Sequence, residues 1–359
     1  MINLSELSAA QTKLLEHLVH YYEYATLHCP PCLEPSPLLT QLEAFFAQST
    51  HPCPVIRLNL GDVTQNCTPE APNTYERAWR SELIRAYSHA GLPQVAAWES
   101  ERNLEDLLLR LSDLSDQHEL TFLLDVGDIP LWMQLGAAEL SDLCTTLLHW
   151  LFSLNQVRFA LILSYTPFQP SLALRYTLSV NDNPDFSALV GLSADELTHY
   201  YAAPLSAAAQ RLQLTLKQLL AQLRTHYGGW RLSPRAPTKL YAPAALERFL
   251  SQTGPSTPHF AYNWPKASTT ALQAVLAQNH PDMSTIEQIL GGFMMLDPWP
   301  QPLTSTQGLI QFLVYQGYLA HRDSRYCYCP NHMAYSALNH ALLTYAQAQG
   351  FIIIDVPPQ

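Results

Sequence analysis

Apolar residues recur at helical spacing from Leu4 to about Tyr22 (Leu7, Leu14, Leu15, Leu18, Val19) and predict an opening helix. Tyr24–Leu27 fits a short strand. The next segment, Cys29–Pro37, carries four prolines, which excludes regular helix or central strand and predicts a loop. Helical spacing returns over Leu38–Ala47, with Leu39, Leu42 and Phe46 on one side. Val55–Leu60 reads as a strand, and Thr74–Ala90 and Leu104–Leu114 as helices. Leu120–Asp125 is a near-continuous apolar run, the pattern of a strand covered on both faces. Ala137–Leu154 reads as a helix and Phe159–Leu163 as another buried strand. Strands alternating with helices predict an α/β fold with a parallel sheet.

The pattern changes after about residue 190. Ser193–Tyr201, with Ser193 as N-cap, and Ser206–Tyr227 read as helices. Pro243–Ser251, Ala267–Gln278 and Ser284–Leu290 read as shorter ones, the first with proline at its first position. Ser305–Tyr318 is helical, Tyr318–His321 and Tyr326–Cys329 fit a hairpin around Arg322–Arg325, and Asn331–Gln349 is helical again. Helix, hairpin and helix form the outline of a winged-helix-like module. Phe351–Val356 is a last strand-like run. No internal repeat or low-complexity tract interrupts the chain.

Composition narrows the chemistry. Only 13 of 359 residues are glycine, about half the usual share, and the first is Gly61. The first sixty residues therefore cannot form a glycine-rich phosphate loop, in which small residues let backbone N–H groups wrap a phosphate. The net charge is −11, so the chain lacks the overall footprint of a nucleic-acid binder. Lysine chemistry is confined to Lys13, Lys217, Lys239 and Lys266. No secretory leader pattern opens the chain, and the longest apolar runs fall far short of the roughly 20 residues that span a bilayer. The seven cysteines are odd in number and spread along the chain, unlike a disulfide framework. These features lead us to expect a cytoplasmic protein with no membrane partner.

Several segments in order carry a resemblance. TLHCPPCLEPSPLLTQLEAFF followed by VIRLNL resembles T-R-P-R-R-F-G-K-S-L-L-L-x-x-L-E-A-F-F and its following strand, with Leu38, Leu39, Leu42, Glu43, Ala44, Phe45 and Phe46 matching. Leu123–Pro130 resembles L-I-D-E-Y-D-x-P, and Phe159–Phe168 resembles F-x-x-T-G-V-S-x-F. HYGGWR at His226–Arg231, LYAP at Leu240–Pro243, Phe260–Ser268, Leu309–Ala320 and Tyr328 with Pro330–Asn331 match later motifs. Together they resemble the bacterial predicted AAA-ATPase-like family, P-loop ATPase domains often fused to a PD-(D/E)XK nuclease-like domain. The likeness covers roughly residues 1–347 and ends where the nuclease-like domain would begin. It implies a P-loop NTPase-like core over residues 1–200, a helical lid region over 201–300 and a winged-helix-like module over 301–359.

The departures from that pattern are chemical. The positions of the phosphate-wrapping Gly-Lys-Ser fall on Glu34, Pro35 and Ser36. A carboxylate then stands where phosphate must approach, and two like charges about 4 Å apart repel by roughly 4 kcal/mol at an effective dielectric of 20. Pro30, Pro31, Pro35 and Pro37 remove four N–H donors from the segment that should supply them. Asp125 occupies the Mg²⁺-coordinating position, but Val126 replaces the family's catalytic Glu. Without those partners, Asp125 and Asp128 read as caps of the following turn.

Cys29-Pro-Pro-Cys32 and Cys327-x-Cys329-x-x-His332, with His28, could supply zinc ligands, but their spacing matches no standard site. The expected reading is no metal, no catalytic residue, and neither ATP nor Mg²⁺ as cofactor. Ser305–Tyr318 has no Lys or Arg, although it carries Gln307, Gln311 and Gln316, so it is a poor groove reader. The expected function is a pseudo-ATPase acting as a protein-binding scaffold, with a protein partner and no nucleic acid. Two alternatives remain open: a residual ATPase using Asp125 and Asp128, and a regulator of a nucleic-acid or defence complex working through the winged-helix-like module.

Overall fold

The computed structural model describes residues 9–49, 52–67, 73–92, 98, 103–168, 177–252, 260–297 and 300–351. They group into two compact units. One unit comprises Ala9–His28 and Ser36–Val180; the other comprises Cys29–Pro35 and the chain from Asn181 onward.

The first unit runs α1 (Ala9–Tyr21), β1 (Tyr24–His28), α2 (Ser36–Gln48), β2 (Val55–Asn59), α3 (Leu60–Gln65), α4 (Thr74–His89), α5 (Leu104–Ser115), β3 (Leu120–Gly127), α6 (Ile129–Gln134), α7 (Ala138–Ser153), β4 (Val157–Ser164) and β5 (Leu178–Ser179). The strands form one parallel sheet in the order β2-β3-β4-β1-β5. The chain leaves β1 toward one edge of the sheet and leaves β4 toward the other. That reversal places a topological switch point at the carboxyl ends of these neighbouring strands, where α/β sheets hold ligands.

The sheet forms because its central strands are apolar on both faces. Leu120 through Leu124 are all buried, as the continuous run predicts. On one face Phe122 packs between Tyr87 and Trp150, with ring centroids 6.5 and 5.7 Å away. On the other, Phe46 of α2 stacks on Phe159 of β4 at 6.0 Å. Each such buried side chain contributes roughly 1.5–3 kcal/mol.

Two local differences from the sequence reading have simple causes. Helix α2 starts at Ser36, inside the segment expected to be loop. Pro37 sits in its first turn, where a missing N–H needs no partner. Helices α3 and α6 are too short to show a helical period and had no counterpart among the expected elements.

The second unit runs β6 (Leu192–Ser193), α8 (Ala194–Tyr200), α9 (Ala202–Arg211), α10 (Leu216–Tyr227), β7 (Gly228–Trp230), β8 (Leu240–Tyr241), α11 (Pro243–Leu250), α12 (Lys266–Asn279), α13 (Met283–Leu290), β9 (Phe293–Met295), α14 (Thr306–Tyr315), β10 (Ala320–His321), β11 (Tyr326–Tyr328) and α15 (His332–Ala348). Ser193 caps α8 in a full capping box with Glu196, as its position predicts. The single helix expected over Ser206–Tyr227 is two. Gln213 takes a left-handed φ of 57°, and Thr215 opens α10 through a second capping box with Gln218. Leu212, Leu214, Leu216 and Leu219 carry apolar character through the break and hide it, although Thr-x-x-Gln was readable as a helix start.

The expected hairpin is present as β10 and β11, and β9 adds a third antiparallel strand in the order β10-β11-β9. Helix α14 is buried from Gly308 to Val314. Gln311 accepts the Gln301 N–H at 3.0 Å and donates to the Asp297 carbonyl at 2.9 Å, so it packs rather than reads. Beyond Phe351, the strand-like run to Val356 lies outside the described residues.

Candidate functional site

The loop after β1 is where nucleotide chemistry would begin. It belongs to the second unit. Pro31–Leu33 form a 3-10 turn, in which the Leu33 N–H donates to the Pro30 carbonyl at 2.9 Å and the Glu34 N–H to the Pro31 carbonyl at 3.2 Å. Pro30, Pro31 and Pro35 have no N–H, so only Cys29 and Cys32 keep one outside that turn. A phosphate loop works by aiming consecutive N–H groups at its ligand. This loop instead lacks them or spends them internally.

The loop is also a packed element. Cys29, Cys32 and Leu33 are buried. Gly317 faces it with a φ of 82°, and a Cβ there would lie 2.9 Å from both Cys32 Sγ and Pro30 Cβ. The Trp230 indole N–H fixes this approach by donating to the Gly317 carbonyl at 2.8 Å. Burial pushes the Cys32 thiol up, the opposite of a reactive thiolate. The Glu34 side chain is exposed, in a left-handed residue with φ 48°. Its carboxyl is raised above the ordinary range by partial desolvation and by the Glu247 carboxylate, against the opposing Arg248.

The sheet unit holds the other expected positions. Ser36 opens α2, and Asp125 stands near the end of β3. The Asp125 carboxylate accepts the Gly127 N–H at 3.1 Å, a local turn bond. Its pKa is raised to about 6, first by burial and then by the Asp62 carboxylate, with the Gly127 N–H and Arg57 opposing. Val126, only 1% exposed, packs in the apolar cluster with Leu60, Leu124 and Ile129. A catalytic carboxylate at 126 would therefore be driven into hydrocarbon.

Asp128 is buried and precedes α6. Its carbonyl accepts the N–H groups of Leu131 and Trp132 at 2.9 and 3.1 Å, but its side chain makes no cap bond. Backbone, not carboxylate, starts that helix, which corrects the capping role expected of this residue. Gly61 and Gly127 meet where β2 and β3 end, and a Cβ on Gly61 would lie 3.0 Å from the Gly127 backbone.

Two side chains at the switch point stand outside the expected nucleotide positions. His28 ends β1 and shares a 2.8 Å hydrogen bond with Ser164, which ends β4. A polar residue closing an apolar strand was the available signal for Ser164. Arg57 is engaged by Glu43 at 3.2 Å and by Thr40 at 3.1 Å. Carboxylates and neutral groups thus dominate these strand ends. Among the described residues, no three His, Cys, Asp or Glu side chains gather in a metal-holding group. Cys29 and Cys32 lie in the packed loop and Cys327 is buried in β11. Burial pushes the Cys329 thiol up to about 12, and His332 opens α15.

No protein-family model matches the chain, and no curated protein does. Among solved structures, the chain is similar to a Walker-type ATPase of Pyrococcus abyssi, at a TM-score of 0.51 and 13% identity, over 94% of this chain and 99% of that one. With its five-stranded parallel sheet, the chain therefore has an α/β, P-loop NTPase-like fold. Among the described residues, no helix is long and apolar enough to cross a membrane.

Proposed function

We propose that this chain is a pseudo-ATPase, a P-loop NTPase-like fold that has given up nucleotide chemistry and serves as a protein-binding scaffold. One observation carries the reading. The loop after β1 has almost no N–H group left to offer a phosphate, and its own side chains fill the space it occupies. Glu34 and Pro35 in place of Gly and Lys, and Val126 in place of Glu, support the same conclusion. Thermal unfolding with ATP and Mg²⁺ tests it, because a native-state ligand raises stability by mass action. The melting temperature stays constant up to about 1 mM nucleotide; clear stabilisation below that concentration overturns the proposal.

A second reading has its own support. Asp125 and Asp62 keep two carboxylates within electrostatic reach of each other at the strand ends. A residual ATPase built on them releases phosphate above background and loses that activity in Asp125→Ala. The scaffold instead co-purifies with a protein partner and leaves phosphate release at the buffer level in both forms.

A further inference from the structure

The antiparallel β10-β11-β9 sheet has two unlike faces. Met294 and Cys327 alternate to the buried side. Phe293, Met295 and Tyr326 alternate to the other and are 49%, 62% and 37% exposed. The register pairs Met295 with Tyr326 and Phe293 with Tyr328, so these four side chains share one surface. Phe293 and Tyr326 are already stacked, with centroids 5.1 Å apart and planes 16° from parallel. Exposed apolar side chains gathered on one face mark an interaction surface.

Cations converge on the same rings. The Arg322 guanidinium lies 5.2 Å over Phe293, and the Lys239 ammonium 5.7 Å over Tyr328. Arg231 donates to the Arg322 carbonyl at 2.8 Å. Arg224 and Arg231 both lie close enough to Lys239 to lower its pKa, after partial burial as the larger cause. Arg325 is exposed beside them. The acid in this turn, Asp323, accepts the N–H groups of Arg325 and Tyr326 at 2.8 and 3.0 Å. In a chain with a net charge of −11, this is a local reversal of sign.

We propose that this face is a platform for single-stranded nucleic acid, with the exposed Phe293 and Tyr326 stacking bases and Arg322, Lys239, Arg231 and Arg224 following the phosphates. Exposed rings flanked by cations suit unpaired bases, whose faces are free to stack. A duplex hides those faces, and the adjacent helix α14 is buried and carries no Lys or Arg to enter a groove. This platform is independent of the loop after β1, so its failure and that of the pseudo-ATPase reading are separate results.

Fluorescence anisotropy of labelled oligo-dT and oligo-rU of roughly 20 nucleotides, at about 50 mM salt, tests the platform. The expected result is binding to both single strands and weaker binding to a duplex of the same length. The paired substitution Phe293→Ala with Tyr326→Ala then weakens binding by about tenfold or more. Arg322→Gln lowers the slope of log affinity against log salt by about one. Leu109→Ala, another exposed apolar position, leaves binding unchanged, and circular dichroism melts confirm that every variant is folded. Absence of binding by the wild-type chain, a preference for duplex, or an equal loss in Leu109→Ala overturns the proposal. So does sedimentation showing that the paired substitution only dissociates a dimer and leaves oligonucleotide binding intact.

Discussion

The loop after β1 and the end of β3 occupy comparable positions, each following a buried strand of one sheet, and they differ in what holds them. The end of β3 carries an acid: Asp125 is desolvated and bonded to the Gly127 N–H. The loop after β1 has neither the charge nor the donors of a phosphate site, and Cys29, Cys32 and Leu33 are buried as core residues are. A strand end is held by the sheet's ladder, so its side chains can change one at a time. A phosphate loop has no ladder. N–H groups packed away from a ligand must be absent or paired internally, and in this loop prolines and a 3-10 turn do both.

The sharpest way to break this comparison is to remove buried volume from each side. Phe122→Ala in β3 is expected to cost about 3–5 kcal/mol, and Leu33→Ala in the loop about 2–5 kcal/mol, read as the change in urea unfolding free energy. Both side chains are fully buried. A loop poised to open for a ligand would tolerate the second change almost freely, and a near-zero cost for Leu33→Ala would end the claim that the loop is a packed element.

Gly317→Ala is the next largest effect. The new methyl would meet Cys32 Sγ and Pro30 Cβ at 2.9 Å, in a residue with φ 82°. Left-handed strain costs about 1–2 kcal/mol and overpacking about 1–3 kcal/mol, so a loss of roughly 2–5 kcal/mol is expected in the same unfolding measurement. Retention of full stability would mean that the loop yields to the methyl without cost.

Asp125 supplies a smaller effect with a definite sign. Its carboxyl protonates near pH 6 when folded and near pH 4 when unfolded. The folded state therefore binds the proton more tightly, and this residue makes stability fall as pH rises from about 4 to about 6. Asp125→Asn keeps an acceptor for the Gly127 N–H and removes the charge. It is expected to stabilise the protein at pH 7 by about 2–3 kcal/mol and to change little at pH 4. Thermal melts at both pH values read this directly, and destabilisation at pH 7 would show that the charge is held by a favourable partner.

Much of this was legible from residue types alone. The parallel sheet followed from apolar runs such as Leu120–Asp125, and the scarcity of N–H donors after β1 from four prolines in Cys29–Pro37. What stayed hidden depends on tertiary contacts. That Val126 points into apolar packing, that Gly317 seats against Cys32, and that His28 meets Ser164 are relations between residues far apart in the chain. The break between α9 and α10 was masked because leucines run through it, although its capping box was present in the sequence. The strand β9 was too short to announce itself and needed β11 to pair with.

The smallest expected effect is the most discriminating. Glu34→Gly with Pro35→Lys rewrites the loop toward the Gly-Lys-Ser pattern in front of Ser36. If sequence pattern alone decided nucleotide binding, this variant would regain it. Lysine supplies one ammonium and glycine one free backbone position, yet Pro30, Pro31 and Pro37 still lack N–H groups and Leu33 still donates to Pro30. The phosphates would meet a single charge without a cradle, and the Val126 position would still lack a carboxylate to position water. ATP with Mg²⁺ is therefore expected to leave the variant's melting temperature unshifted at about 1 mM. A clear upward shift would mean that the loop unpacks at little cost, and it would make the two strand ends more alike than their packing implies.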